Sequence, residues 1–511
     1  MTDWTSGYVA DIGYTYGYYD LLNPLRANLA LLKAGVAPPQ IGTACELGFG
    51  QGISVNIHGA ATGIQWYGTD FNPAQAGYAQ ELAAGIDGGP RLFDQSFAEF
   101  CTRTDLPDFD FISLHGIWSW ISDENRAVIV DFARRKLKTG GVLYISYNTQ
   151  PGFAAMVPVR NLMTQHAAKL TPPGAGVLAK VDGALAFANR LMATKPIFAH
   201  ANPQVAERLK RLESLDRHYL AHEYFNRDWL PMSFADMSDL LSGAKLDFAC
   251  SAAFNELVPA LNLTPEQQVL LNELTDPTFR ESVYDFMVCQ QFRRDYWIKG
   301  KRRLQTVDCT ERLRALRVVL CEPPETILYT ISGALGDGSL TETIYAPIIK
   351  LLGDHVVRTI GEIEAALREQ GITLAQLHEA CLLLAHKGVL ASAQEPAVAN
   401  ARRPQTDRLN QRLLRQARGG AEVSTLASPV TGNGIGAGRF QQLFVGAILQ
   451  GKQQPSEWAY QAWQALKASQ QTITKNGVAL IGDEENLAEL TSQATEFRDR
   501  RLPLLRAMGI V

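Results

Sequence analysis

Five residues set the chemistry this chain can offer: Glu46, Gly48, Gly50, Gly52 and Asp70. The stretch Ile41 to Gly52 reads I-G-T-A-C-E-L-G-F-G-Q-G. A short apolar run ends in an acid, and three glycines follow at alternate positions. This pattern predicts a buried strand running into a tight turn and then a helix. Glycines suit that turn because φ > 0 must be available and a ligand must come close to the backbone. The strand–turn–helix setting lifts the pattern above chance. Farther on, Ile64 to Asp70 (I-Q-W-Y-G-T-D) reads as a second strand ending in an acid. A carboxylate there can accept both hydroxyls of a ribose. A dinucleotide site wants G-x-G-x-x-G, whereas this spacing is G-x-G-x-G with Ile53 after it. An acid just before the first glycine suits a ligand that carries an ammonium rather than a pyrophosphate.

The form E-L-G-x-G-x-G resembles motif I of class I S-adenosylmethionine (SAM)-dependent methyltransferases. The resemblance implies SAM as cofactor, S-adenosylhomocysteine as product, and a Rossmann-like α/β fold. It implies a cofactor set of Glu46, Gly48, Gly50, Gly52, Asp70 and Phe71. The loop after strand three, D-Q-S-F, would place Gln95 and Ser96 at adenine while Phe97 packs. The loop after strand four, H-G-I-W-S-W, would bring His115 to the methyl and let Trp118 and Trp120 form an acceptor channel. At the tip of strand five, Tyr147 and Asn148 would line the substrate pocket.

The elements that must position these groups follow from periodicity and punctuation. Leu25 to Gly35 reads as an amphipathic helix, with Pro24 in its first turn. A helix starts at Asn72-Pro73; Arg91 to Phe93 is a short strand three, and Phe109 to Leu114 is strand four. Asn125 to Leu137 is a helix, Lys138 to Gly141 its exit turn, and Val142 to Tyr147 strand five. The sheet's finish is delayed to Phe234–Ser242 (helix), Lys245–Phe254 (strand six) and Gln291–Ile298 (last strand). The chain therefore divides into a methyltransferase domain, 1–303, with helical inserts at about 153–222 and 255–285. Next come a winged-helix-like middle or regulatory domain, 304–395, a linker at 393–408, and a mainly helical domain, 408–511, interrupted by a loop at 428–438. Residues 1–23 hold five tyrosines, at 8, 14, 16, 18 and 19. Either they pack as an N-terminal arm, or the arm folds over the site and offers ring faces to a cation.

Composition narrows the alternatives. At 511 residues the chain is too long for one core. Its hydrophobic content of 46% and net charge of −4 fit a globular protein and argue against nonspecific nucleic-acid binding. Seven scattered cysteines without C-x-x-C fit reduced thiols and a cytoplasmic protein. No apolar run is long enough to span a membrane, and the polar, tyrosine-rich start does not read as a signal peptide. His218 and His222 stand at i, i+4 with Glu223 next, but no third ligand is evident and no metal is expected.

The Y-T-Y-G-Y-Y arm, E-L-G-F-G-Q-G, S-Y-N-T-Q-P-G, H-E-Y-F-N-R-D-W-L-P-M-S-F (His222 to Phe234) and F-R-R-D-Y-W-I-K-G (Phe292 to Gly300) occur together. As a set they resemble bacterial class I methyltransferases with a methyltransferase regulatory domain, similar to rickettsial protein lysine methyltransferases. That resemblance implies a protein substrate, such as an outer-membrane or surface protein before export, and a homodimer. A lysine nucleophile must be neutral, yet its free pKa is about 10.4. Tyr14, Tyr16, His115 and Tyr147 are the candidates to orient or deprotonate it, and Glu223 to bind a substrate cation. Two other readings stay open: a small-molecule or glycan methyltransferase, and a SAM-binding regulator without turnover.

Overall fold

The computed structural model of the chain describes residues 5, 7–9, 13, 15–172 and 174–511. Its centre is a seven-stranded sheet of order β3-β2-β1-β4-β5-β7-β6. The strands are β1 Thr43–Leu47, β2 Gln65–Asp70, β3 Arg91–Asp94, β4 Phe109–Leu114, β5 Leu137–Asn148, β6 Leu246–Ser251 and β7 Phe292–Lys299. β1 to β5 run parallel, and β7 lies antiparallel between β5 and β6. This is the Rossmann-like class I methyltransferase arrangement. Strand order reverses between β1 and β4, where open α/β sheets leave a crevice beyond the strand C-termini.

Helices α1 Pro24–Lys33, α2 Ile53–Ala61, α3 Pro73–Ala83, α4 Phe97–Cys101 and α5 Asp123–Lys136 cover the sheet. Their starts are chemically marked. Asn23, Asn72, Ser96 and Ser122 each accept a backbone N–H in the first turn, and prolines stand at the starts of α1 and α3. The first insert is α6 Met156–Lys169, α7 Val177–Ala193, α8 Ile197–Ala201, α9 Gln204–Glu213 and α10 Arg217–Tyr224. After α11 Phe234–Ser242 and β6 comes the second insert, α12 Pro265–Glu273 and α13 Pro277–Val288. The following residues form α14 Thr306–Ala315, β8 Arg317–Leu320, β9 Thr330–Gly333, β10 Gly336–Ser339, α15 Glu342–Leu352, β11 Arg358–Thr359, α16 Ile360–Ala366, α17 Leu374–His386 and β12 Leu390–Ser392. There β8 pairs with β11 and β12 in a small sheet.

Three local expectations change. The turn expected at Lys138–Gly141 is the first part of β5, which is anchored there by the Lys138–Asp110 ion pair at 2.9 Å. The linker expected at 393–408 is largely α18 Pro396–Gln416. Its arginines donate to carbonyls that helix ends leave unpaired: Arg402 to Gly59 (2.8 Å) and Ala60 (3.0 Å), and Arg412 to Leu82 (2.6 Å). The loop expected at 428–438 is mostly a hairpin of β13 Thr425–Ser428 and β14 Asn433–Gly436. Small residues are needed there, because a Cβ on Gly434 would stand 2.9 Å from the Tyr18 ring. α18 and this hairpin cover the outer side of α2, and every residue of α2 is buried.

Candidate functional site

A cavity of about 590 Å³ opens beyond the C-terminal ends of β1, β2 and β4. One wall is the glycine turn between β1 and α2, where Gly48, Gly50 and Gly52 have φ of 74°, 58° and 70°. Each glycine is required for a different reason. A Cβ at Gly48 would meet Ile117 Cδ1 at 2.5 Å, and one at Gly52 would meet Ala79 of α3 at 2.4 Å. A Cβ at Gly50 would meet nothing within 4 Å, because Gly50 borders the cavity. Gly52 therefore shapes the turn from below and does not line the site. Gly52→Ala should cost about 2–4 kcal/mol through positive φ and overpacking, read as a large drop in melting temperature. Gly50→Ala should cost about 1–2 kcal/mol and act mainly on ligand affinity. The reverse ranking would contradict this division.

Two acids stand at the turn. Asp70 ends β2, where Oδ2 accepts the Gly50 N–H (2.8 Å) and Oδ1 the Asn72 N–H (3.0 Å). Burial outweighs these bonds and pushes its carboxyl up to about 6. One lone pair on each oxygen remains for a ligand hydroxyl. Glu46 is 4% exposed, and its Oε2 has no hydrogen-bond partner. Burial, with Asp70 nearby, pushes its carboxyl up to about 8. A buried orphan acceptor at a cavity wall is a vacant place for a donor, and a cationic one would restore its charge.

Beyond β3, Gln95 and Ser96 border the cavity. The Gln95 amide oxygen already accepts from Arg103 (3.3 Å). The Ser96 hydroxyl is held in a capping box with Glu99, so little of it is free for a ligand. Phe71 lines the cavity and meets the Tyr8 ring edge-on at 5.7 Å. His115 lies beneath, with Nδ1 2.8 Å from the Tyr144 hydroxyl and its ring 4.3 Å from that of Tyr19. Burial, with help from Arg294, pulls its imidazole down to about 3, so it is neutral and a weak base.

The opposite wall belongs to the arm and the first insert. Thr5, Gly7, Tyr8, Thr15, Gly17 and Tyr19 face inward. The Val9 N–H donates to Asn226 Oδ1 (2.8 Å), and the Arg227 N–H donates to the Gly7 carbonyl (2.9 Å). Tyr14 lies outside the described residues. Tyr16 does not border the cavity; it packs edge-on against Tyr78 at 5.3 Å. Nor does Tyr147, whose hydroxyl donates to Asp295 (3.0 Å) inside the core. Strand alternation explains this: Tyr144, Ser146 and Asn148 share one face of β5, and Tyr147 takes the other. Asn148 does border the cavity. Of the two tryptophans, Trp118 is sealed in the core with Nε1 on Met232 Sδ (3.2 Å), while Trp120 borders the cavity.

Glu223 also borders the cavity. Sequence reasoning had not placed its neighbours Arg208, Tyr219, Tyr224 and Asp228 there. Tyr219 was findable, because it stands four residues before Glu223 and so shares a helix face; Arg208 carried no signal. His222 is buried against the Tyr8 ring (5.5 Å). Among the described residues no group of three or more His, Cys, Asp or Glu is arranged to hold a metal.

A family model described as a predicted methyltransferase regulatory domain matches residues 216–299. This span includes α10, β6 and β7, so it completes the central sheet. The uncharacterized protein sll1526 of Synechocystis sp. is 37% identical over 99% of this chain and 99% of its own length. The uncharacterized protein RP789 of Rickettsia prowazekii is 24% identical over 55% of this chain and 51% of its own. Among solved structures, PKMT2 from Rickettsia typhi in complex with AdoHcy superposes with a TM-score of 0.68 at 17% identity. That match covers 95% of this chain and 98% of the other.

Proposed function

Since the chain belongs to the family of the Synechocystis protein, with the class I methyltransferase fold and the predicted regulatory domain, we propose that it transfers a methyl group from SAM to an amine acceptor, a lysine side chain of a protein. The observation that carries the cofactor is the orphan Glu46 Oε2 beside the open face of Gly50. Glu46 holds the ammonium of the amino-acid end, Asp70 the ribose hydroxyls, and the Phe71, Gln95 and Ser96 region the adenine. When bound, SAM supplies an electrophilic methyl sulfonium.

The chain's own residues hold the acceptor in line with that methyl and keep water out. Neutral His115, fixed by Tyr144, serves as an orienting group rather than a base. Asn148 and Trp120 shape the acceptor side. In this reading residues 1–303 are the catalytic unit, with 304–395 supporting it through α1 and 408–511 through α2. The structural likeness to PKMT2 of Rickettsia typhi in complex with AdoHcy supports the cofactor site.

The test is incubation of the purified full chain with SAM tritiated on the methyl and a bacterial lysate. Label in protein that yields methylated lysine on hydrolysis is expected. Label only in small molecules or glycans would transfer the acceptor to those classes. No label in any fraction would overturn methyl transfer.

A further inference from the structure

Four carboxylates border the cavity: Glu46, Asp70, Glu223 and Asp228. Glu46 and Asp70 belong to the glycine turn, and Asp228 is paired with Arg227 at 3.0 Å. Glu223 differs from all three. It stands on α10 of the first insert, lines the cavity, and has no hydrogen bond or ion pair to its carboxylate among the described residues. Arg208 also borders the cavity, but its guanidinium is stacked over the Phe153 ring at 3.9 Å.

The backbone around Glu223 is fixed. Its carbonyl accepts Trp120 Nε1 (3.0 Å) from the loop after β4, and the Tyr224 carbonyl accepts Arg160 Nε (2.9 Å). Arg160 also donates to the Asn226 carbonyl, and the Asn226 side chain grips the arm at Val9. The carboxylate is half-buried and faces the cavity from a fixed stretch of backbone, so it is open to a cationic ligand.

Resting on the reading of the cavity as a SAM-dependent amine methyltransferase site, we propose that Glu223 is the catalytic residue that receives the acceptor ammonium and takes its proton. The proton passes from nitrogen to a Glu223 carboxylate oxygen. The freed lone pair forms the N–C bond, and the S–C bond breaks with its electron pair returning to sulfur. The methylated product carries the positive charge, and Glu223 returns its proton to solvent. Burial pushes the Glu223 carboxyl up to about 8, which makes it a better proton acceptor for an amine than an ordinary carboxylate. The other candidates are engaged elsewhere: His115 with Tyr144, and Tyr147 with Asp295.

The test needs no knowledge of the natural acceptor. Sinefungin carries a primary amine where SAM carries its methyl, and AdoHcy carries nothing there. Calorimetry on the full chain should find sinefungin bound about tenfold tighter than AdoHcy, and Glu223→Gln should bring that ratio to about twofold or less. AdoHcy affinity should stay within about twofold in the variant, since Glu223 does not touch the glycine turn. A wild-type chain that binds both equally overturns the role of Glu223, as does a variant that keeps the preference. The wild-type ratio decides the matter even if the variant does not fold. A wild-type chain that binds neither ligand overturns the SAM site itself, which separates the two failures.

Discussion

Asp70→Ala should weaken SAM binding by roughly 10- to 100-fold while the chain stays folded. Both Asp70 oxygens accept backbone N–H groups, from Gly50 and Asn72, so the carboxylate sets the turn's shape as well as offering lone pairs to a ribose. A net loss equal to one hydrogen bond to a charged group, about 1.5–3 kcal/mol, gives this range. The fold survives because Asp70 is buried with its carboxyl already up near 6, so removing it also removes a desolvated charge. The same shift gives a pH signature. The ribose-binding form is ionised, and protonation of the empty site grows as pH falls through about 6. Wild-type affinity should therefore decline below that pH, and the Asp70→Ala chain should lack this part of the decline. Isothermal titration at pH 5.5 and 7.5 checks both points. An affinity within twofold of wild type would remove the ribose site from the end of β2.

The second large effect concerns the fold. Arg293 on β7 is buried and bonds to Glu281 (2.7 Å) and Asp285 (2.6 Å) of α13 and to Asp295 (3.0 Å) of its own strand. Its guanidinium also lies 4.4 Å over the Phe234 ring of α11. One cation thus ties the second insert and α11 to the sheet. Arg293→Met should destabilise the protein by about 3–5 kcal/mol, because it leaves buried carboxylates without their partner. Burial already pushes Asp285 up to about 7 and Asp295 up to about 6, against the pull of the arginine. Carboxyls raised in the folded state contribute stability at low pH that is lost as pH rises through those values. Without the arginine they rise further, so the variant's deficit should be larger at pH 8 than at pH 5. Denaturant melts at the two pH values test this. A deficit under about 1 kcal/mol, or one larger at pH 5, would show that Arg293 is not the tie.

The parts of this protein legible in its sequence are local ones. The acid, the glycines and the short apolar strands announce the turn because each requirement is met within a few residues. The asparagine and serine caps announce the helices in the same way. What stayed hidden depends on distant partners. α18 reads as a polar linker because its arginines find their acceptors on the ends of α2 and α3, far away in sequence. Gly52 reads like a cofactor glycine, but its constraint comes from Ala79 on another helix. Strand parity would have separated Tyr147 from Asn148, and the same alternation sorts the arm. Thr15, Gly17 and Tyr19 face the cavity; Tyr16 packs on Tyr78, and Tyr18 bonds to Asn433 of the hairpin (2.9 Å). The acceptor wall was the least legible part, since α9 and α10 look like any amphipathic insert until the arm closes against them.

The most direct measurement is calorimetric titration of SAM into the full-length chain, beside Glu46→Gln. One molecule bound per chain, with affinity reduced about tenfold or more in the variant, is the result expected if the buried orphan oxygen waits for the cofactor's ammonium. No heat of binding and no shift in melting temperature with SAM would mean that Gly48 to Gly52 is a structural turn, and that the cavity serves another ligand.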